Sequence, residues 1–325
     1  MDVLLTGSVA FDYLMTFPGL FKEQILPERL ESISLSFLVD GMSRQRGGVA
    51  PNIAYTMALL GVRPRVMATV GEDFAEYRAW LEEKGVDTSL MEVVPGEFTA
   101  SFFATTDRAN AQIASFYPGA MAYASRQRIK DVTPRPELVV VSPNDPVAMT
   151  NFAAECRELG IPYLYDPSQQ VLRLEGEELL RDMRGARFLF VNDYEFGLIC
   201  KKTGLDLEGI LEAVDILVVT RGEHGADIYV GGRVVHVPAV PPNKIADPTG
   251  VGDAFRGGFL AGWSHGFDWA LCGKIGALAA TYCLEQVGTQ NHTYSRREFV
   301  ARFREHFDDE GQLDTLLSRN PENIA

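Results

Sequence analysis

The chain opens on a short apolar run, Val3-Leu4-Leu5-Thr6, ended by Gly7, which is the pattern of a buried strand entering a loop. Ser8 and Asp12 then fall in a loop just past its carboxyl end. From about residue 13 to 46 the pattern changes. Pro18, Gly19 and Pro27 interrupt it, and Ser32-Ile33-Ser34-Leu35-Ser36-Phe37-Leu38-Val39 alternates with the period of two of a half-exposed strand. Residues 52–60 have helical apolar spacing, 65–70 read as a second buried strand, and 74–84 as a helix stopped by Gly85. A polar, β-prone stretch at 98–116 is suited to pair with the earlier alternating segment.

Beyond Ala120 the rhythm is regular. Strands at 138–141, 162–165, 188–191 and 216–220 alternate with helices at 146–159, 176–184 and 194–203. That alternation implies right-handed crossovers and an α/β fold, with a mostly parallel central sheet, helices on both faces and a small β lid beside it. The expected division is a core of 1–12, 47–94 and 119–325 and a discontinuous lid of 13–46 and 95–118. The tail after Glu310 reads as a polar helix or frayed end, and no repeat of 20–50 residues is evident. Ligands of such sheets bind outside the carboxyl ends of the strands. One rim therefore gathers Gly7-Ser8, Asp166-Pro167-Ser168-Gln169-Gln170, Asn192-Asp193-Tyr194-Glu195 and Thr220-Arg221-Gly222. Each polar residue among them also fits a helix cap, and it is their convergence that suggests chemistry.

Charge narrows the partners. With 30 Lys and Arg against 44 Asp and Glu the formal charge is −14, which opposes wrapping a nucleic-acid backbone. An anionic ligand would need local donors inside that repulsive field. The four cysteines are too widely scattered for a zinc ligand pair or a dense disulfide framework, and the five histidines include no HxxxH pair. The first residues lack a basic leader and no apolar run approaches the ~18 residues of a membrane span, so the expected setting is cytoplasmic.

The most informative stretch is Ala246-Asp247-Pro248-Thr249-Gly250-Val251-Gly252-Asp253-Ala254-Phe255-Arg256-Gly257-Gly258-Phe259. Gly250 and Gly252 let a tight loop turn its N–H groups toward one point, and helical spacing begins directly afterwards, which makes an anion site at a helix N-terminus. Asp253 falls in the first turn. A carboxylate there repels a resting phosphate, but it suits removal of a proton from an attacking hydroxyl. The same spacing also fits a plain turn with Asp253 as cap. Arg256 fits either a cation beside phosphates or a surface ion pair. The chain has no G-x4-G-K-[ST] and no G-x-G-x-x-G after a predicted strand, which argues against a P-loop or a dinucleotide site.

Asp247-Pro248-Thr249-Gly250-Val251-Gly252-Asp253-Ala254-Phe255 resembles the C-terminal signature of the ribokinase-like (phosphofructokinase B) family of sugar and nucleoside kinases. Gly47-Gly48-Val49-Ala50-Pro51-Asn52 resembles its N-terminal signature, in the expected order and separation, and Gly7-Ser8-Val9-Ala10-Phe11-Asp12 fits too. The resemblance implies Asp253 as the base and the amides of Gly250, Val251 and Gly252 as the anion hole. Asn192-Asp193-Tyr194-Glu195 resembles the family's N-x-x-E element, with Asn192 near the phosphates and Glu195 organising Mg2+ through water. Thr220-Arg221-Gly222-Glu223-His224-Gly225 resembles its nucleotide loop for ATP. Potassium activation is common in the family, though no residue here marks that site.

Ribokinases carry G-G-K-G-A-N where this chain has Gly47-Gly48-Val49-Ala50-Pro51-Asn52. The runs at 35–40 and 111–121 and Asp166-Pro167-Ser168-Gln169-Gln170 look like a bacterial adenosine-kinase branch of the family. That implies adenosine as acceptor, with Asp12 and Asn52 on the ribose hydroxyls and Ser8, Ser36 and Gly48 completing the ribose and base contacts. Phe102 and Phe116 would sandwich the purine, or serve as lid core or dimer packing, and Gln169 with Gln170 would line the base pocket. The lid sheets are expected to pack as a homodimer. Competing expectations are a kinase of ribose, fructose or a sugar phosphate, and a non-catalytic ligand-binding regulator.

Overall fold

Thirteen strands are present in the computed structural model, which describes residues 1–32 and 34–318. In chain order they are β1 (Val3–Thr6), β2 (Ala10–Thr16), β3 (Gly41–Gly47), β4 (Arg65–Val70), β5 (Asp87–Val93), β6 (Ala100–Thr106) and β7 (Gln112–Tyr117). Then follow β8 (Leu138–Val141), β9 (Tyr163–Tyr165), β10 (Ala186–Asn192), β11 (Val214–Thr220), β12 (Ala226–Val230) and β13 (Arg233–Val237). Nine form one sheet in the order β13-β12-β11-β10-β9-β8-β1-β4-β5, and four form a second in the order β3-β2-β6-β7.

In the large sheet every pairing from β11 through to β5 is parallel, and the β11–β12 and β12–β13 pairings at the other edge are antiparallel. All residues of β1, β4, β8 and β9 are buried, as both faces of a helix-covered parallel sheet require. Side chains alternate between two cores. Phe188 and Phe190 of β10 join the core on one face, where Phe190 meets Phe259 edge-on with ring centroids 5.0 Å apart, while Leu189 and Val191 join the core on the other. The helix Val251–Ser264 lies in the first core beside helices Val49–Leu59 and Trp269–Leu284. Its N-terminus is thereby set at the carboxyl ends of the strands.

The expected core strands and helices are present, but the lid differs from the pattern reading. The alternation at 32–39 is not a strand: residues 34–39 are irregular, and Ile33 lies outside the described residues. Phe37 instead packs edge-on against Phe17 and Phe21, pinning a loop rather than facing a sheet. The strand that pairs with β2 is the polar Gly41–Gly47, held by an antiparallel ladder from Ala10↔Gly47 to Thr16↔Gly41. Asp12 is therefore a strand residue, not a loop residue. The stretch expected at 98–116 splits into β6 and β7 at Asp107, whose Oδ1 accepts from the backbone N–H groups of Ala109 and Ala111 at 2.8 and 2.9 Å. Because β6 runs parallel to β2, Phe102 sits opposite Asp12. The C-terminal expectation falls on a short helix, Asp314–Ser318, and on residues 319–325, which lie outside the described residues. Among the described residues no helix is long and apolar enough to cross a membrane.

Candidate active site

A cavity of about 620 Å3 opens outside the carboxyl ends of the large sheet, roofed by the small one. It brings together most of the residues singled out above. Ser8, Asp12, Gly48 and Asn52 line one side; Gln169, Gln170, Asn192, Glu195 and Thr220 line another; Gly250, Gly252 and Asp253 form its floor; Phe102 and Phe116 reach in from the lid. Phe102 and Phe116 are direct cross-strand partners, so their rings share the face of the lid turned to the cavity. Ser36 does not join them: it is exposed on the irregular segment and is not part of the cavity wall. Val251 is half-buried and also absent from the wall. Of the Thr220–Gly225 loop only Thr220 lines this cavity. Arg221, Glu223 and His224 line a separate open groove, and Gly222 and Gly225 shape the turn beside it.

The geometry of Asp253 follows from a turn that only a flexible backbone can make. Gly250 caps the helix Val251–Ser264 with φ +77°, and a Cβ on it would lie 2.8 Å from the Thr289 side chain. Three residues on, Asp253 accepts through Oδ2 from Asn52 Nδ2 at 2.8 Å. Asn52 is itself fixed: Gln290 Nε2 donates to its Oδ1 at 2.6 Å and also to the Tyr77 hydroxyl at 2.6 Å, and that hydroxyl donates to the Gly47 carbonyl at 3.0 Å. Burial pushes the Asp253 carboxyl up to about 6, while Arg256 and the Asn52 amide pull it down and Glu195 adds to the rise. A carboxylate in that range, held in one orientation, can take a proton near neutral pH. Burial also pushes Asp12 up to about 6, with the nearby charge of Asp247 adding to it.

Asn192 and Glu195 have two roles at once. They form a reciprocal cap of the helix Asp193–Thr203, with Glu195 N–H donating to Asn192 Oδ1 at 2.7 Å and Asn192 N–H to Glu195 Oε2 at 2.9 Å. Both also line the cavity. Among the described residues no group of three or more His, Cys, Asp or Glu could cage a metal ion alone. A cation here would be shared with a ligand's own oxygens, as suits Mg2+, which keeps several waters and takes few carboxylates.

Arg256 is not in a surface ion pair. It is buried, and its Nη2 donates to Asp166 Oδ1 at 2.7 Å while Nε faces Asp166 Oδ2 at 2.6 Å. Burial pushes the fully buried Asp166 carboxyl upward and the guanidinium pulls it back. Pattern reasoning missed Gln290 and Thr289 as parts of this site, and the pairing of Asp166 with Arg256. Asp166 was visible only as one more polar residue on the rim, and Gln290 and Thr289 carry no motif of their own. Gln170 is buried and tied through Nε2 to the Asn144 carbonyl at 2.7 Å, whereas Gln169 is exposed.

Backbone donors for an anion, side by side with a base for a hydroxyl, meet the two needs of phosphoryl transfer to an alcohol, and this fold and cleft define a kinase. Residues 7–296 match the family model described as pfkB family carbohydrate kinase, and the chain belongs to that family. It is 31% identical over 306 residues to a nucleoside kinase of Methanothermobacter thermautotrophicus, covering 93% of this chain and 95% of the relative. It also resembles the structure of Burkholderia thailandensis nucleoside kinase in complex with inosine, with a TM-score of 0.84 and 38% identity, covering 94% of this chain and 98% of that one. The ADP-inosine complex of the same enzyme matches with a TM-score of 0.82 and 39% identity, over 94% and 96% of the two chains.

The raised Asp253 value has a consequence for stability. Folding lifts this carboxyl from 3.8 to about 6, so the folded protein binds its proton more tightly than the unfolded chain does. Its contribution to stability is complete below the unfolded value and is lost as the pH rises through about 6. Asp253→Asn is therefore expected to raise the melting temperature of the ligand-free protein at pH ~8 and to leave it nearly unchanged at pH ~4. Thermal unfolding at the two pH values checks this, and equal shifts at both would contradict it.

Proposed function

We propose that the chain transfers the γ-phosphoryl group of ATP to the 5′-hydroxyl of a purine nucleoside. The observation that carries this reading is Asp253, fixed by Asn52 at 2.8 Å, in one cavity with the paired rings of Phe102 and Phe116. In the reaction the hydroxyl oxygen bonds to the γ-phosphorus, its proton passes to Asp253, and the bond to the β,γ-bridging oxygen breaks to release ADP. The N–H groups of the Gly250–Gly252 turn and the helix N-terminus stabilise the charge of the transferring group. Asp12 and Asn52 hold the ribose hydroxyls, Ser8 and Gly48 lie beside them, and the two phenylalanine rings take the base between them. Glu195, with Asn192 beside it, would hold Mg2+ through its waters, and the ion would neutralise phosphate charge there. Thr220 and the Arg221–Gly225 loop carry the nucleotide.

Adenosine is the acceptor we favour, because Asp166-Pro167-Ser168-Gln169-Gln170 and the runs at 35–40 and 111–121 resemble the adenosine-kinase branch. Inosine is the second reading, supported by the inosine complex of the Burkholderia thailandensis enzyme. A coupled ADP-release assay over adenosine, inosine, guanosine, cytidine, ribose and fructose separates them. Adenosine is expected to give the highest kcat/KM, inosine in first place would shift the assignment to the second reading, and a free sugar in first place would overturn both. Asp253→Asn is expected to lose at least ~100-fold in kcat with its fold intact, and near-normal turnover would sink the base assignment.

The lid supports a homodimer. Phe103 and Ile113 are exposed on the sheet face opposite Phe102 and Phe116, and the whole edge strand β7 is exposed. A second copy of the chain is the expected cover. Sedimentation at micromolar concentration should give a dimer that Ile113→Asp dissociates, and a monomeric parent chain would contradict this.

A further inference from the structure

The three guanidinium nitrogens of Arg256 have different surroundings. Nε and Nη2 face the two carboxylate oxygens of Asp166 at 2.6 and 2.7 Å, a side-on pairing that fixes the plane of the group. Nη1 is turned toward the glycine loop, where a Cβ built on Gly252 would lie 2.8 Å from it. The side chain that Gly252 lacks would occupy the space into which this nitrogen reaches. Arg256, Gly252 and Asp253 all line the cavity, so Nη1 is presented beside the base and beside the loop that receives the anion.

Stability does not account for a charge in this place. A buried ion pair is costly to desolvate, and well-packed apolar residues of similar volume commonly serve as well or better. The surroundings are also unbalanced, because Arg256 faces the carboxyls of Asp166, Asp253 and Glu195 together. One cation among three acids has no surplus charge, so what its third nitrogen offers an anion is a donor fixed in direction.

Resting on the phosphoryl-transfer reading above, we propose that Arg256 is a further catalytic residue whose Nη1 contacts the transferring phosphoryl group, and that Asp166 is the positioning residue that aims it. As the hydroxyl oxygen bonds to the γ-phosphorus and its proton moves to Asp253, the bond to the bridging oxygen breaks and its electron pair leaves with ADP. Charge then spreads over the three equatorial oxygens of the transferring group. Nη1 donates to one of them from a position fixed before the reaction begins, which is where a buried donor is most effective. The same cation draws the Asp253 pKa down against burial, so it keeps the base ionised until the hydroxyl proton arrives.

The test pairs two variants. Arg256→Gln with Asp166→Asn replaces the ion pair by two neutral amides and strands no charge, and Arg256→Lys keeps a cation that can pair with Asp166 but lacks the third nitrogen. Acceptor affinity is measured by calorimetry without ATP, and kcat and KM by ADP release, using whichever acceptor the parent chain turns over best. The double variant is expected to bind acceptor within about threefold of the parent and to lose at least ~100-fold in kcat, as for removal of one oxyanion donor. Arg256→Lys is expected to lose roughly tenfold or more in kcat with acceptor KM unchanged. Turnover within fivefold of the parent in the double variant, or unchanged kcat in Arg256→Lys, would overturn the proposal and leave the pair a structural brace. A sugar as the only acceptor of the parent chain would overturn the nucleoside reading instead, with the comparison of variants still decisive for Arg256.

Discussion

Asp166, fully buried at the end of β9, and Arg256, buried in the helix Val251–Ser264, meet at 2.6 Å beneath the floor of the cleft. Their pairing ties the carboxyl end of the sheet to the helix whose first turn carries Asp253. Removing either partner strands the other charge in a dry place, which typically costs about 3–5 kcal/mol. It also sets the chemistry above it. Burial pushes Asp253 up, Arg256 and Asn52 pull it back, and the balance near 6 is what a base needs to be ionised at neutral pH and still able to accept a proton. Without that guanidinium, burial and the neighbouring carboxyls would push the Asp253 carboxyl higher still.

The net charge of −14 acquires a different meaning beside this site. It argues against a protein that wraps nucleic acid, yet it is compatible with phosphate chemistry, because the cleft does not depend on a basic surface. The donors it can offer an anion are the glycine turn, a helix N-terminus and one buried guanidinium, all of them held in place by the fold. Fixed dipoles in a sheltered site outweigh a diffuse field that salt screens over about 8–10 Å.

What could be read from the sequence followed physical rules of different reach. The strands and helices after Ala120 were legible because a buried parallel strand must be apolar throughout and a covering helix must repeat on its own period. Gly250, Gly252 and Asp253 were legible as neighbours in one cavity wall because a tight turn opening a helix demands glycine and sets the next polar residue in the first helical turn. Gly41–Gly47 was not, since a half-exposed strand held by its backbone ladder needs no apolar side chains, and Phe37 spent its apolar surface on a loop cluster instead. Asp12 fell in a strand because the ladder with Gln45 and Phe102 begins earlier than the alternation suggests. Gln290 and Asp166 act on residues 238 and 90 positions away, and such pairings have no local signature. Arg256 was visible as a cation in the signature helix, but whether it faced solvent or the cleft depended on where Asp166 lay.

The pH dependence of kcat/KM for the nucleoside at saturating ATP bears most directly on the central claim, that a buried carboxylate removes the proton of the acceptor hydroxyl. The account predicts a plateau above pH ~7 and a fall of about tenfold per unit below an apparent pKa close to the value of about 6 set by burial of Asp253. A profile that stays level from pH ~5 to ~8 would contradict it.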